Sequence, residues 1–196
     1  MKKVLICIAV AVVALWGAFY TENLTERRQR EQLAQLKPDE LVEVLMRDSL
    51  SKIEARAVTL KQLKEGYADE AFAKQHGRVL GIGSPTFYVI KDVCHHANVS
   101  DDEMHAVAEG MQITIPLKYI FGNTAREASG LFNIDDFQNT TDFNAVSAAM
   151  NAYIAGQLKS FQFDDGGNVV FLAAVAVPKD ADMQKVTLIP FELKRE

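Results

Sequence analysis

Hydrophobic and polar positions along the chain fall into stretches of different period. Val4–Tyr20 is a run of 17 residues without a charge, preceded by Lys2 and Lys3. As a helix it would span roughly 25 Å, a little short of the ~30 Å hydrocarbon layer of a bilayer. It has no polar face, which disfavours a buried core helix, and it reads as an uncleaved anchor in preference to a cleaved signal peptide. Cleavage after Ala18 would leave bulky Trp16 three residues before the cut. A lipoprotein signal fits worse, because only six residues precede Cys7 and Ile6 stands where a small residue is wanted. The lysines on the short side point that end to the cytoplasm, which makes the chain a single-pass protein of a bacterial inner membrane with its bulk in the periplasm. Secretion to the periplasm after signal cleavage is the alternative. Thr21–Lys37 is dense in charge and reads as a helical spacer. The expected divisions are therefore 1–20, 21–37 and a single α+β domain over 38–196.

Within that domain the period is first helical and then close to two. Pro38-Asp39-Glu40 is a helix start, with Pro in the first turn and acids at the positive dipole end. Leu41, Val42, Leu45 and Met46 form its apolar stripe, and Ile53, Ala57, Leu60 and Leu63 predict a second or continuous helix. Glu70–Gln75 predicts a short helix stopped by Gly77. A turn at Gly81–Pro85 then feeds a strand at Thr86–Ile90, and Met111–Phe121 is a second, with Pro116 placed at an edge or a bulge. Asn139 or Thr140 caps an amphipathic helix carrying Phe143, Val146, Met150, Tyr153, Ile154 and Leu158, expected to pack on Val169–Val177. That last run is apolar throughout and predicts a strand buried on both faces. Val186–Leu193, interrupted at Pro190, is the closing strand. The order gives an α+β fold: an N-terminal anchor and helices, then a small, mostly antiparallel sheet or OB-like barrel with one inserted amphipathic helix.

Charge and cysteine content narrow the function. Residues 21–196 keep 19 of the 21 Lys and Arg and all 26 Asp and Glu, so no basic excess exists for a general nucleic-acid binder. Cys7 lies in the apolar run, which leaves Cys94 without a disulfide partner and without a Cys-x-x-Cys spacing. Cys94-His95-His96, with Asp92, Asp101, Asp102 and His105, is the one cluster of metal-ligand types. Adjacent histidines in a strand face opposite ways, and Ser100-Asp101-Asp102-Glu103 fits a capping box, so a turn and a short helix are expected there, with no metal and no cofactor. Gly81-x-Gly83 follows a helix and precedes a strand, the reverse of a phosphate loop.

Asp135 and Asp136 are adjacent and suited to capping a helix, and no Gly-x-Ser-x-Gly elbow is present. Arg126 lies in the polar stretch Gly122–Glu127, expected as a loop. Its fork suits a carboxylate or a phosphate, and the competing reading is an ion pair to Glu127, Asp135 or Asp136. Arg126, Asn123, Asp136 and Asn139 are the candidate residues for binding a ligand or partner, and no catalytic residue is named. The second reading is a periplasmic hydrolase using Asp135, Asp136 and Arg126; the third is a structural envelope protein.

Three spaced segments carry a family resemblance. They are His76-Gly77-Arg78 through Gly81-Ile82-Gly83-Ser84-Pro85 into Phe87–Lys91; Pro116 followed by Gly122-Asn123-Thr124-Ala125-Arg126-Glu127; and Asp136-Phe137-Gln138-Asn139 with Phe143, Val146 and Met150-Asn151. Together with Val170-Phe171 and Ile189-Pro190, over roughly residues 38–193, the chain resembles a bacterial family of predicted periplasmic lipoproteins, domain of unknown function 2291. Glu127, Thr140 and Ile115 stand where that family tends to have Asp, Gln and Gly. The resemblance implies a membrane-tethered periplasmic accessory protein, linked to a sugar transport system and meeting the membrane and an envelope or transporter protein as partners.

Overall fold

The computed structural model describes residues 36–161 and 167–195, Ile82 and Asp101 excepted. The expected anchor at 1–20 lies outside the described residues, as does the spacer save for Leu36 and Lys37. Among the described residues no helix is long and apolar enough to cross a membrane. The chain divides at Lys37/Pro38, and the fold is that of Pro38–Glu196.

Helix α1 (Pro38–Glu54) begins on Pro38 with Asp39 and Glu40 in its first turn and buries Leu41, Val42, Met46 and Ile53. It does not run on to Leu63. Val58 is drawn into a parallel bridge beside Ile90: its N–H donates to Val89 O (2.9 Å), and Lys91 N–H donates to Val58 O (3.0 Å). Helix α2 (Leu60–Gly66) restarts on a capping box of Thr59 and Gln62, and its Leu60 N–H donates to Asp92 Oδ2 across the gap (2.9 Å). Helix α3 (Glu70–His76) is capped by Asp69 and ends at Gly77. A side chain at Gly77 would collide with Thr86 Cγ2 and come within 2.8 Å of Ala73 O.

The strands are β1 (Arg78–Val79), β2 (Thr86–Val99), β3 (Glu103–Ala108), β4 (Met111–Pro116), β5 (Val169–Val177), β6 (Lys185–Thr187) and β7 (Ile189–Arg195). Their order is β6-β4-β3-β2-β5-β7 with β1 beside β2, antiparallel except for the β4–β6 pair. Strand β2 runs nine residues beyond the expected strand. It pairs with β5 along one edge over 86–94, then with β3 along the other over 95–99. A bulge between His95 and Asn98 bends it from one half of the sheet to the other.

The turn and short helix expected after Cys94 is therefore a strand, a hairpin and another strand. Ser100 Oγ accepts from Glu103 N–H (3.1 Å), the bond of a helix cap, yet here it closes the β2–β3 turn. The apolar positions that follow, Met104 and Ala106, alternate with exposed ones at period two. Strand β4 stops at Pro116, opposite Glu103 and past the reach of β6, where its missing N–H leaves no ladder bond unmade. The expected continuation to Phe121 is loop.

The far ends of the strand order are consecutive in the chain. Strand β6 lies on β4, Leu188 follows, and β7 lies on β5. Leu188 is fully buried and its N–H donates to Thr114 O (2.9 Å), so one stretch of backbone holds both margins of the sheet and curls it. Pro190 lies inside β7, and the register shift falls beside it between Leu172 and Ala173. The concave side holds a core of Leu60, Leu63, Tyr88, Ile90, Met104, Ile113, Phe171 and Val175 among others. The opposite side of β5 buries Leu172 and Ala174 beneath helix α4 (Thr124–Ser129), so β5 is buried on both faces. The long helix α5 (Thr140–Ser160) buries Phe143, Val146, Met150, Ile154 and Leu158. Its main partners are α1, α4 and β7 rather than the expected β5, because α4 already covers that strand.

Two outcomes test this packing. Leu188→Ala is expected to cost about 2–5 kcal/mol in urea unfolding, the range for large-to-small core changes. Tyr88 and Cys94, buried in the concave core, are held above their ordinary pKa by loss of water around the ionised forms. A raised folded-state value means stability is whole below the unfolded-state pKa and is lost as pH rises through it, from about 8.5 for a thiol and about 10 for a phenol. Unfolding free energy should thus fall as pH rises above about 8.5, and the Tyr88→Phe/Cys94→Ala double variant should flatten the fall; an equally steep curve in that variant would assign the loss to other groups.

Candidate functional site

The stretch around Arg126 is helical. Helix α4 begins after Asn123, whose carbonyl accepts from Glu127 N–H (2.8 Å), and ends on Gly130 with φ of 64°, the left-handed conformation that favours glycine. Glycine at the stop position is the sequence signal for this helix. Arg126 and Glu127 are 5% and 2% exposed. Arg126 Nε and Nη2 donate to Glu127 Oε1 at 2.9 and 2.5 Å, and Nη1 donates to Phe143 O at 3.3 Å. The guanidinium carbon sits 3.6 Å from the centre of the Phe143 ring. Of the three carboxylates weighed as partners, Glu127 is thus bonded to Arg126.

The other motif segment ends in the same network. Arg78 Nη2 stands 3.9 Å from Glu127 Oε2 and donates to Phe132 O (3.2 Å) and Asn133 Oδ1 (2.6 Å), while its Nη1 donates to Glu127 O (3.3 Å). Arg56 Nη2 donates to Ala128 O (3.2 Å) and to Ser129 O. The last carbonyls of α4 are answered by arginines from far earlier in the chain.

Asp136 belongs to a short 3-10 turn (Ile134–Asp136), where its Oδ2 accepts from Asn133 N–H (2.9 Å); Asp135 beside it is exposed. Asn139 is the N-cap of α5: its Oδ1 accepts from Asp142 N–H and its Nδ2 donates to Asp142 Oδ2, both at 2.9 Å. Both residues shape the entry to α5. His95 is exposed and bonded to Asn168 (2.8 Å), and Cys94 is buried. Among the described residues no group of three or more His, Cys, Asp or Glu could hold a metal ion.

Asn123 and Arg126 do meet at one place, an open groove of about 740 Å³ between the 118–123 loop and α5. Asp136 and Asn139 do not line it. Arg126 lies at its floor. Tyr119 and Phe121, 58% and 76% exposed, stand on the loop side with their rings parallel to within 2° and centroids 6.4 Å apart. Lys118 Nζ lies 5.4 Å over the Tyr119 ring. The facing wall is the Ala148, Ala152 and Ala155 side of α5, with Ser147, whose Oγ is buried and unpartnered among the described residues. Asn151 Nδ2 donates to Gly122 O (2.9 Å) and ties the loop to the helix. The aromatic pair was missed at the sequence level, although two rings at spacing i, i+2 are its visible signature.

A family model described as Predicted periplasmic lipoprotein (DUF2291) matches residues 9–194, and the chain belongs to that family of unknown function. An OB-fold protein from Thermotoga maritima, solved as a crystal structure, is similar in fold with a TM-score of 0.65. It is 22% identical, and the match covers 82% of this chain and 99% of that one. No curated protein matches the chain.

The buried pair predicts an asymmetric loss. Arg126→Ala strands the Glu127 carboxylate and should cost about 3–5 kcal/mol in denaturant unfolding. Replacing both residues by leucine should cost clearly less than Arg126→Ala alone, because no buried charge is left unpaired. Arg126→Lys keeps the charge but loses the fork and the stacking on Phe143, and should fall between the parent and Arg126→Ala.

Proposed function

We propose that this member of the predicted periplasmic lipoprotein family is a membrane-tethered binding domain that takes a small neutral ligand in the groove between the 118–123 loop and α5. One observation supports this above the rest: Tyr119 and Phe121, with parallel rings and largely exposed side chains, line that groove. Exposed aromatics of this size contribute little to stability, and on the rim of a concave site they offer a stacking surface. The groove has the volume of a small-molecule site. Its polar lining is the amides of Asn123, Asn144 and Asn151, the Ser147 hydroxyl, and Arg126 and Lys118, whose charges are paired with Glu127 and Asp102. A saccharide ring matches that chemistry, with a C–H face for the aromatics and hydroxyls for the amides. The same chemistry agrees with the accessory role in sugar transport that the family resemblance implies.

The binding test uses the full chain in a polyoxyethylene detergent, which carries no sugar. Saccharides should shift the methyl resonances of Ala148, Ala152 and Ala155 saturably, and Tyr119→Ala or Phe121→Ala should weaken the effect at least tenfold while changing stability by less than about 0.5 kcal/mol. No shift with any member of a mono- and disaccharide panel would overturn the small-ligand reading. For the tether, the intact chain should resist alkaline extraction from membranes, be open to protease from the periplasmic side, and keep its membrane association in Cys7→Ser. A mature N-terminus beyond Ala18 in a soluble fraction would overturn the anchor in favour of a cleaved signal.

A further inference from the structure

Beside the groove lies a second cavity of about 330 Å³, and Phe121 lines both. Asn123 on the groove side and Thr124 on the cavity side are consecutive in the chain, so the two spaces adjoin along 121–124. Their chemistry differs. The cavity is walled by Val175 and Val177 at the end of β5, Met183 and Val186 around β6, and Ile189 at the start of β7, each 7% exposed or less. Its polar lining is Thr124, Lys185 and Thr187, and the last two are exposed. Val175, Val177, Met183 and Val186 also belong to the concave core, so the cavity opens onto the interior of the sheet. Protein interiors seldom leave apolar side chains beside a gap larger than a water molecule. Here several of them border one with room for a small organic group.

We propose that the ligand of the groove is a glycoside carrying an alkyl or aryl substituent, and that this substituent passes Phe121 into the second cavity. The inference rests on the saccharide reading of the groove and adds the apolar half of the ligand. A second sugar ring in the cavity would set hydroxyls against valine, methionine and isoleucine, losing their water for few new partners. An alkyl or aryl group placed there gains from leaving water. Because one side chain borders both spaces, the substituent has only that ring to pass. Joining the two halves in one molecule makes the second contact intramolecular, so the whole is held more tightly than either part.

The test follows methyl resonances of the full chain in phosphatidylcholine nanodiscs, because the alkyl chain of a detergent would compete for the cavity. Methyl, butyl and phenyl glycosides of glucose, galactose and mannose are titrated in turn. Methyl glycosides should shift Ala148, Ala152 and Ala155 in the groove and leave Met183, Val175 and Val186 in place. Butyl or phenyl glycosides of the same sugar should shift both sets along one saturation curve and bind about tenfold or more tightly. Ala181→Leu, which adds bulk to the cavity wall from the loop between β5 and β6, should remove that gain and leave methyl glycoside binding unchanged. The resonance map of the parent chain decides the matter even where this variant fails to fold. Equal affinity for methyl and butyl glycosides, with Met183, Val175 and Val186 unmoved, would overturn the apolar half while the groove reading stands. Shifts of the cavity methyls by 1-butanol as strong as by the butyl glycoside would also overturn it, since the two spaces would then act separately. Binding of none of the glycosides would overturn both readings together.

Discussion

A carboxylate withdrawn from water has to be answered by cations, and Glu127 imposes that demand on three separate parts of the chain. Arg126 meets it from the same helix, Arg78 approaches it from β1, and Phe143 of α5 covers the Arg126 guanidinium with its ring and accepts from it with its carbonyl. A six-residue helix has little stability of its own, since helix nucleation is costly and packing supplies most of what holds a short helix. Here the ion network and the arginines on its last carbonyls keep α4 against β5. Because α4 occupies that face, α5 is displaced onto α1 and β7, and the groove opens along the uncovered side of α5.

The sheet answers a second constraint. Strand β5 has apolar residues on both sides and cannot leave either face wet. One face meets the concave core and the other meets α4. The long β2 serves both halves of the sheet by bending at its bulge, so one strand carries the edge contacts of β1, Val58 and β3 in succession. Helices and sheet thus share a boundary that runs along β2 and β5.

The parts of this arrangement that local chemistry dictates could be read in advance. The Pro38 start, the Asn139 cap, the two-sided burial of Val169–Val177 and a mostly antiparallel sheet all follow from residue type and spacing. Other parts could not. Ser100 and Glu103 form the same bond in a hairpin as in a helix cap, so the motif alone did not decide between them. The extra length of β2 depends on partners far away in sequence, and so does the break at Val58. Around the candidate site, Arg126 and Asn123 were visible as polar groups beside a turn, but whether the fork faced a ligand or Glu127 depended on burial. Tyr119 and Phe121 were absorbed into an expected strand, and only the end of β4 at Pro116 leaves them standing free over α5.

The single-residue link at Leu188 bears on how such a domain is made. Strand β7 follows every other strand and helix described here, and the segment from β6 to β7 supplies the hydrogen-bonded neighbours of both β4 and β5. A chain delivered across a membrane from its N-terminal end would present α1 to β5 first, with two unpaired strand margins and nothing to join them. Long-range pairing of this kind is slow, and exposed margins recruit other chains. The two margins of the sheet would therefore stay unpaired until β7 arrived, and the native form of the domain would be acquired in one late step rather than piece by piece.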